Sequence, residues 1–122
     1  MDILRDIVVF DAANLEAEST FWSRVLGGRI ERDDDWHTVY VEDNARVAVQ
    51  LAPGHVPPDW PADGTPQQIH LDLYVADPST AHEEVTAWGA RLLQGAPEPR
   101  PRSGFQVYAD PAGHPFCLCW EQ

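Results

Sequence analysis

Apolar positions along the chain follow two periods, and the switch from one to the other happens twice in the same order. Ile3 to Phe10 and Ile69 to Val75 read as extended runs bounded by polar residues. Each is followed by a stretch with helical spacing. Asn14 is placed to cap a helix that gathers Leu15, Phe21, Trp22, Val25 and Leu26 on one face. Asp77 with Pro78 is a stronger helix start, and the segment it opens places Ala81, Val85 and Trp88 at i, i+4 and i+7. In both copies a glycine follows the last apolar residue, where a left-handed terminal residue is expected.

Short extended runs follow each helix. In the first half they are Arg29–Arg32, Trp36–Val41 and Arg46–Leu51, with Glu42-Asp43-Asn44 as a tight turn. In the second half they are Arg91–Leu93, Phe105–Ala109 and Pro115–Trp120, with Asp110-Pro111-Ala112-Gly113 as the turn. Leu26-Gly27-Gly28-Arg29-Ile30 is echoed 62 positions later (26 to 88) by Trp88-Gly89-Ala90-Arg91-Leu92. The order strand, helix, strand, strand, strand therefore occurs twice, which predicts a duplicated α+β chain. Module 1 spans about 1–52, a linker rich in Pro, Gly and Asp spans 53–66, and module 2 spans about 67–122.

Alternation splits each strand into two faces. Val47, Val49 and Leu51 oppose Ala48 and Gln50; Ile69, Leu71, Leu73 and Val75 oppose His70, Asp72 and Tyr74. Phe105 and Val107 are assigned to the apolar side, with Gln106 and Tyr108 opposite them. Phe116, Leu118 and Trp120 oppose Cys117 and Cys119. One side is thus a wall for the helices. The other mixes aromatic, amide, imidazole, carboxylate and thiol groups, which is the character of a small-molecule pocket or of a solvent-facing sheet.

Charge narrows the choice of partner. Eight Arg, no Lys and 20 acidic residues give a net charge of −12, which repels a phosphate backbone, so no nucleic-acid partner is expected. The all-arginine basic set suggests a GC-rich bacterial genome. No apolar run has the length of a membrane span, the first residues lack signal-peptide character, and Cys117 and Cys119 are spaced poorly for a disulfide. A reduced, cytoplasmic setting without a membrane partner is the expectation.

Phe21-Trp22 before Leu26-Gly27-Gly28, His70-Leu71-Asp72-Leu73, and the terminal Asp110-Pro111-Ala112-Gly113-His114-Pro115-Phe116-Cys117-Leu118 resemble the vicinal oxygen chelate superfamily. That is the glyoxalase, bleomycin resistance protein and extradiol dioxygenase group, and the glyoxalase-like domain branch is the nearest match. The resemblance covers essentially the whole chain. It implies a single glyoxalase-like domain over 1–122, with two tandem βαβββ modules forming a curled mixed sheet around a cleft and one helix per module on the outer face. It also implies a homodimer.

Metal ligands of that superfamily fall by position on Ile7, Gln50, His70 and Cys117. Ile7 has no donor atom, Gln50 offers a neutral amide oxygen, and Cys117 would bind as a thiolate. No metal or other cofactor is therefore expected at these degenerate positions, a divalent metal being the alternative. Glyoxalase I activity is not expected either.

The ligand-binding candidates are Trp36, Tyr40, Gln50, His70, Tyr74, Tyr108 and Cys117. The aromatic members among them would either stack on a ligand or close the sheet face of a dimer. The catalytic candidates are His70, Asp72 and Cys117, with Glu121 as a further carboxylate base. Trp60 reads as either a lid or a packed plug. His37, His55 and His82 read as surface residues, and His114 as part of its turn. The leading reading is a small-molecule-binding protein that sequesters a drug or metabolite in the bleomycin-resistance manner. The alternative is a divergent lyase, isomerase or epimerase of the superfamily, with or without a metal.

Overall fold

The computed structural model describes residues Met1–Glu121, which form two compact units, Met1–His55 and a second from Val56 onward. Each has the same element order. The first contains β1 (Val8–Ala12), α1 (Leu15–Leu26), β2 (Arg29–Arg32), β3 (Trp36–Val41) and β4 (Asn44–Leu51). The second contains β5 (Leu71–Tyr74), α2 (Pro78–Ala87), β6 (Arg91–Gln94), β7 (Gly104–Ala109) and β8 (Pro115–Trp120). Each unit builds a four-stranded mixed sheet, ordered β1-β4-β3-β2 and β5-β8-β7-β6. In both, the first strand pairs in parallel with the last, and the remaining pairs are antiparallel. The expected pair of βαβββ modules, α+β in class, is what the chain forms.

The helix boundaries follow from capping. Asn14 accepts a hydrogen bond from the Ala17 amide at 3.0 Å, and Gly27 ends α1 in the left-handed region at φ 68°. Gly28 is needed for a different reason: a Cβ there would run into the Tyr40 carbonyl oxygen of β3. In α2, Asp77 accepts from the Ser79 and Thr80 amides, and Pro78 occupies the first turn, where no amide hydrogen is required.

In the first unit, Phe21 and Trp22 of α1 are buried, and Phe10 of β1 stacks on Trp22 with ring centroids 5.1 Å apart. The Trp22 indole donates to the buried Glu18 carboxylate at 3.3 Å. His37 is buried rather than at the surface, because cross-strand pairing with Val49 turns it under α1, where the Ser19 hydroxyl meets its Nδ1 at 2.8 Å.

The first strand begins later than its apolar run predicts. Residues 1–7 form no strand, Ile3 and Leu4 are exposed, and pairing with β4 runs only from Val8 to Ala12. In the second unit, β8 is one of the two inner strands, and all six of its residues are buried. The turn before it is held by Asp110, whose carboxylate accepts from the Ala112 and His114 amides, with Gly113 at φ 90°.

Trp22→Ala removes the largest buried side chain of the first unit and is expected to cost about 3–5 kcal/mol of unfolding free energy in urea denaturation. Gly27→Ala, which forces a side chain into the left-handed region, should cost about 1–2 kcal/mol in the same measurement.

Candidate functional site

Cross-strand register decides which side chains of the second unit share a face. On β5 and β8, Asp72 lies opposite Cys117 and Tyr74 opposite Cys119. On β7 and β8, Val107 lies opposite Cys117 and Phe105 opposite Cys119. Asp72, Tyr74, Phe105, Val107, Cys117 and Cys119 therefore look out of one side of the sheet, and His70, which precedes β5, lines the same pocket. Tyr108 pairs with Phe116 and Gln106 with Leu118 on the other side.

This reverses the expectation for β7. Tyr108 is fully buried beneath α2, its hydroxyl within 2.8 Å of His82 Nδ1 and accepting from the Gln106 amide at 2.8 Å. It stacks on Phe116, and it does not line the pocket on the opposite face. The polar atoms of Gln106 and Tyr108 satisfy one another in the core, so their polarity is no sign of an open face. His82 is half-buried by the same contact, not a free surface residue.

The open face forms a pocket of about 390 Å³ lined by Trp60, His70, Asp72, Tyr74, Ser103, Gly104, Phe105, Cys117, Cys119, Trp120 and Glu121. Trp60 belongs to its wall. The indole packs against the Val107, Cys117 and Cys119 cluster together with Leu93, and it stacks on the His70 ring at 4.8 Å and 18°. The His70 ring is also held at both nitrogens: Nδ1 is 3.0 Å from the Gln67 amide oxygen and Nε2 is 3.3 Å from an Asp72 carboxylate oxygen. Four aromatic rings and one polar corner thus make up most of the lining.

Both cysteines are free and buried. Burial, followed by the neighbouring Asp72 carboxylate, pushes the Cys117 thiol up to about 12, and the same causes raise Cys119. At neutral pH Cys117 therefore keeps its proton, which removes the thiolate that nucleophilic chemistry requires.

Of the sequence candidates, His70, Tyr74 and Cys117 share this pocket with Asp72 and Glu121. Trp36, Tyr40 and Gln50 belong to the first unit. There Trp36 lies opposite Gln50 across β3 and β4, its indole donating to the Thr38 hydroxyl at 3.2 Å, and the Arg29 guanidinium sits 4.7 Å above the Tyr40 ring. The sequence reading missed Phe105, placed on the wrong face, and Gln67. Pairing of Phe105 with Cys119 is the signal that locates the former, and it requires knowing the register.

The four superfamily metal positions do not fit an ion here. Ile7 lies before β1 and carries no donor, and Gln50 supplies only a neutral amide oxygen. A different trio does converge: the donor atoms of His70, Asp72 and Cys117 all lie within 4.8 Å of one another.

The glyoxalase-like domain model matches residues 7–119. No curated protein is significantly similar to the chain. A glyoxalase-related enzyme from Fulvimarina pelagi is 21% identical, with 97% of this chain and 89% of that chain covered and a TM-score of 0.65. The fosfomycin resistance protein FosX from Mesorhizobium loti is 18% identical over 100% and 95%, with a TM-score of 0.69. FosX from Listeria monocytogenes is 10% identical over 100% and 96%, with a TM-score of 0.72. These structures share the fold. Among the described residues no helix is long and apolar enough to cross a membrane.

Iodoacetamide at neutral pH should leave Cys117 unmodified in the native protein and label it rapidly after denaturation, as read by mass spectrometry. Because the thiol's ordinary value is 9.0 and the folded one is about 12, the stabilisation is complete below pH 9 and is lost as the pH rises from there toward 12. Alkaline melting curves should show that loss, and Cys117→Ser should reduce it.

With two βαβββ modules in place and the family model spanning nearly all of it, the chain belongs to the glyoxalase-like domain family of the vicinal oxygen chelate superfamily.

Proposed function

We propose that the second module's pocket holds a small apolar or aromatic ligand and that the protein acts by binding it, as a cytoplasmic, homodimeric sequestering protein of the bleomycin-resistance type without glyoxalase I activity. The observation that carries this reading is the lining. Trp60, Tyr74, Phe105 and Trp120 supply flat apolar surface, and His70, Asp72 and Cys117 form one polar corner. A volume of about 390 Å³ suits a compact organic molecule. Asp72 and Glu121 favour a neutral or cationic ligand over an anion, in keeping with a chain of net charge −12. The two fosfomycin resistance proteins among the structural neighbours support a drug-directed version of this role.

The His70–Asp72 contact at 3.3 Å supports a second reading, proton transfer by a lyase, isomerase or epimerase. In that case His70→Ala abolishes turnover of a substrate while the far-ultraviolet circular dichroism is unchanged.

A screen of aromatic metabolites and basic antibiotics by thermal shift and tryptophan quenching tests the binding role. Ligands should raise the melting temperature and quench the emission of Trp60 and Trp120. Phe105→Ala should weaken binding roughly tenfold, since a buried Phe contributes ~1.5–3 kcal/mol. A screen in which no compound shifts melting or emission contradicts the reading.

A further inference from the structure

We propose that Trp60 sets the length of ligand that the pocket accepts, confining it to short, compact aromatic molecules, because its indole is a fixed partition between that pocket and a second cavity on its far side. The inference rests on the binding role proposed above and names which ligands that role admits.

The second cavity has a volume of about 370 Å³ and lies within the same module. Its chemistry differs from that of the aromatic pocket, with Asp59, Asp63 and Arg91 set among Leu93 and several prolines. Among the described residues only Trp60 lines both this cavity and the pocket of about 390 Å³. Taken singly, each volume lies near the lower end of the roughly 300–1,000 Å³ range of small-molecule sites; joined, they would admit a much longer molecule.

The indole is held as a wall. It stacks on the His70 ring with centroids 4.8 Å apart, and it packs with Leu93 on the cluster of Val107, Cys117 and Cys119. The backbone that carries it is fastened as well. The Asp59 amide donates to the Thr65 carbonyl at 2.7 Å, and the Thr65 amide donates back to the Asp59 carboxylate at 2.9 Å, which closes the segment around Trp60. On its other flank, Pro57 sits so close to Gly113 that a Cβ on that glycine would overlap the proline ring. Swinging the indole out would return its packed apolar surface to water. A ligand therefore meets Trp60 in place and stops against it.

The test uses the full chain and three amines of increasing length, benzylamine, biphenylmethylamine and terphenylmethylamine, titrated by calorimetry. The parent should bind the shorter amines and discriminate against the terphenyl compound. In Trp60→Ala the terphenyl compound should gain about tenfold or more in affinity, since its outer ring is buried in the joined cavity, while benzylamine should lose about threefold with the aromatic wall. Ala112→Trp fills the far cavity, which Ala112 lines. Alone it should leave the parent's affinities unchanged, and combined with Trp60→Ala it should cancel the terphenyl gain. An unchanged length preference in Trp60→Ala, or a gain that persists in the double variant, overturns the proposal. Melting of each variant checks the fold, and Trp60→Leu, which keeps an apolar contact on the cluster, takes the place of Trp60→Ala if the latter unfolds. If no amine binds any variant, the binding role fails for this class of ligand, and the crystal structure of the Trp60 variant decides the partition independently. One continuous cavity upholds it, and collapse of residues 57–63 into the vacated space overturns it.

Discussion

Parallel pairing of β5 with β8, at the register that sets Asp72 opposite Cys117, is the contact on which the second module's chemistry depends. Side chains alternate along a strand, so a slip by one residue would turn His70, Asp72 and Tyr74 under α2 and send Leu71 and Leu73 outward. Two forces hold the register. Phe116 and Leu118 must lie on the α2 side, where Tyr108 stacks on Phe116, and Cys117 and Cys119 must meet Val107 beneath Trp60. The core on one side and the pocket on the other are consequences of the same pairing.

The two modules share topology and differ in what their helix-free faces carry. In the first, Trp36 pairs with Gln50, and Thr38 bonds the Trp36 indole. In the second, the equivalent face carries imidazole, carboxylate and two thiols within a pocket. Duplication fixes the frame while substitution at outward positions changes the chemistry it presents. The helices need only caps and an apolar stripe, and those constraints leave the opposite face of each sheet free to vary.

Burial governs reactivity within the pocket. The thiols lie against a carboxylate in a partly desolvated corner, so the protonated form is favoured, and Cys117 behaves as a lining group. His70 is fixed on three sides, by Gln67, Asp72 and the Trp60 ring. That fixation is what a binding site needs, since orientation settled before binding lowers the entropic cost of the complex.

Much of this architecture was legible from local signals. Asn14 and Asp77 mark the helix starts, Gly27 marks the end of α1, and alternation assigns Asp72 and Cys117 to one face, as found, although β5 is shorter than the Ile69–Val75 run, leaving Ile69 exposed and His70 ahead of the strand. Such features depend on neighbours in sequence, where capping and periodicity act. Other features depend on partners far along the chain. The face of β7, the late start of β1, the burial of His37 against Ser19 and the grip of Gln67 on His70 all follow from pairing and packing. A polar side chain such as Tyr108 is buried at low cost once His82 and Gln106 complete its hydrogen bonds, and composition alone contains no trace of that arrangement. The sequence by itself determined the order of the elements and the supply of donors; only the tertiary structure decided which donors meet, because register and burial are set by long-range contacts.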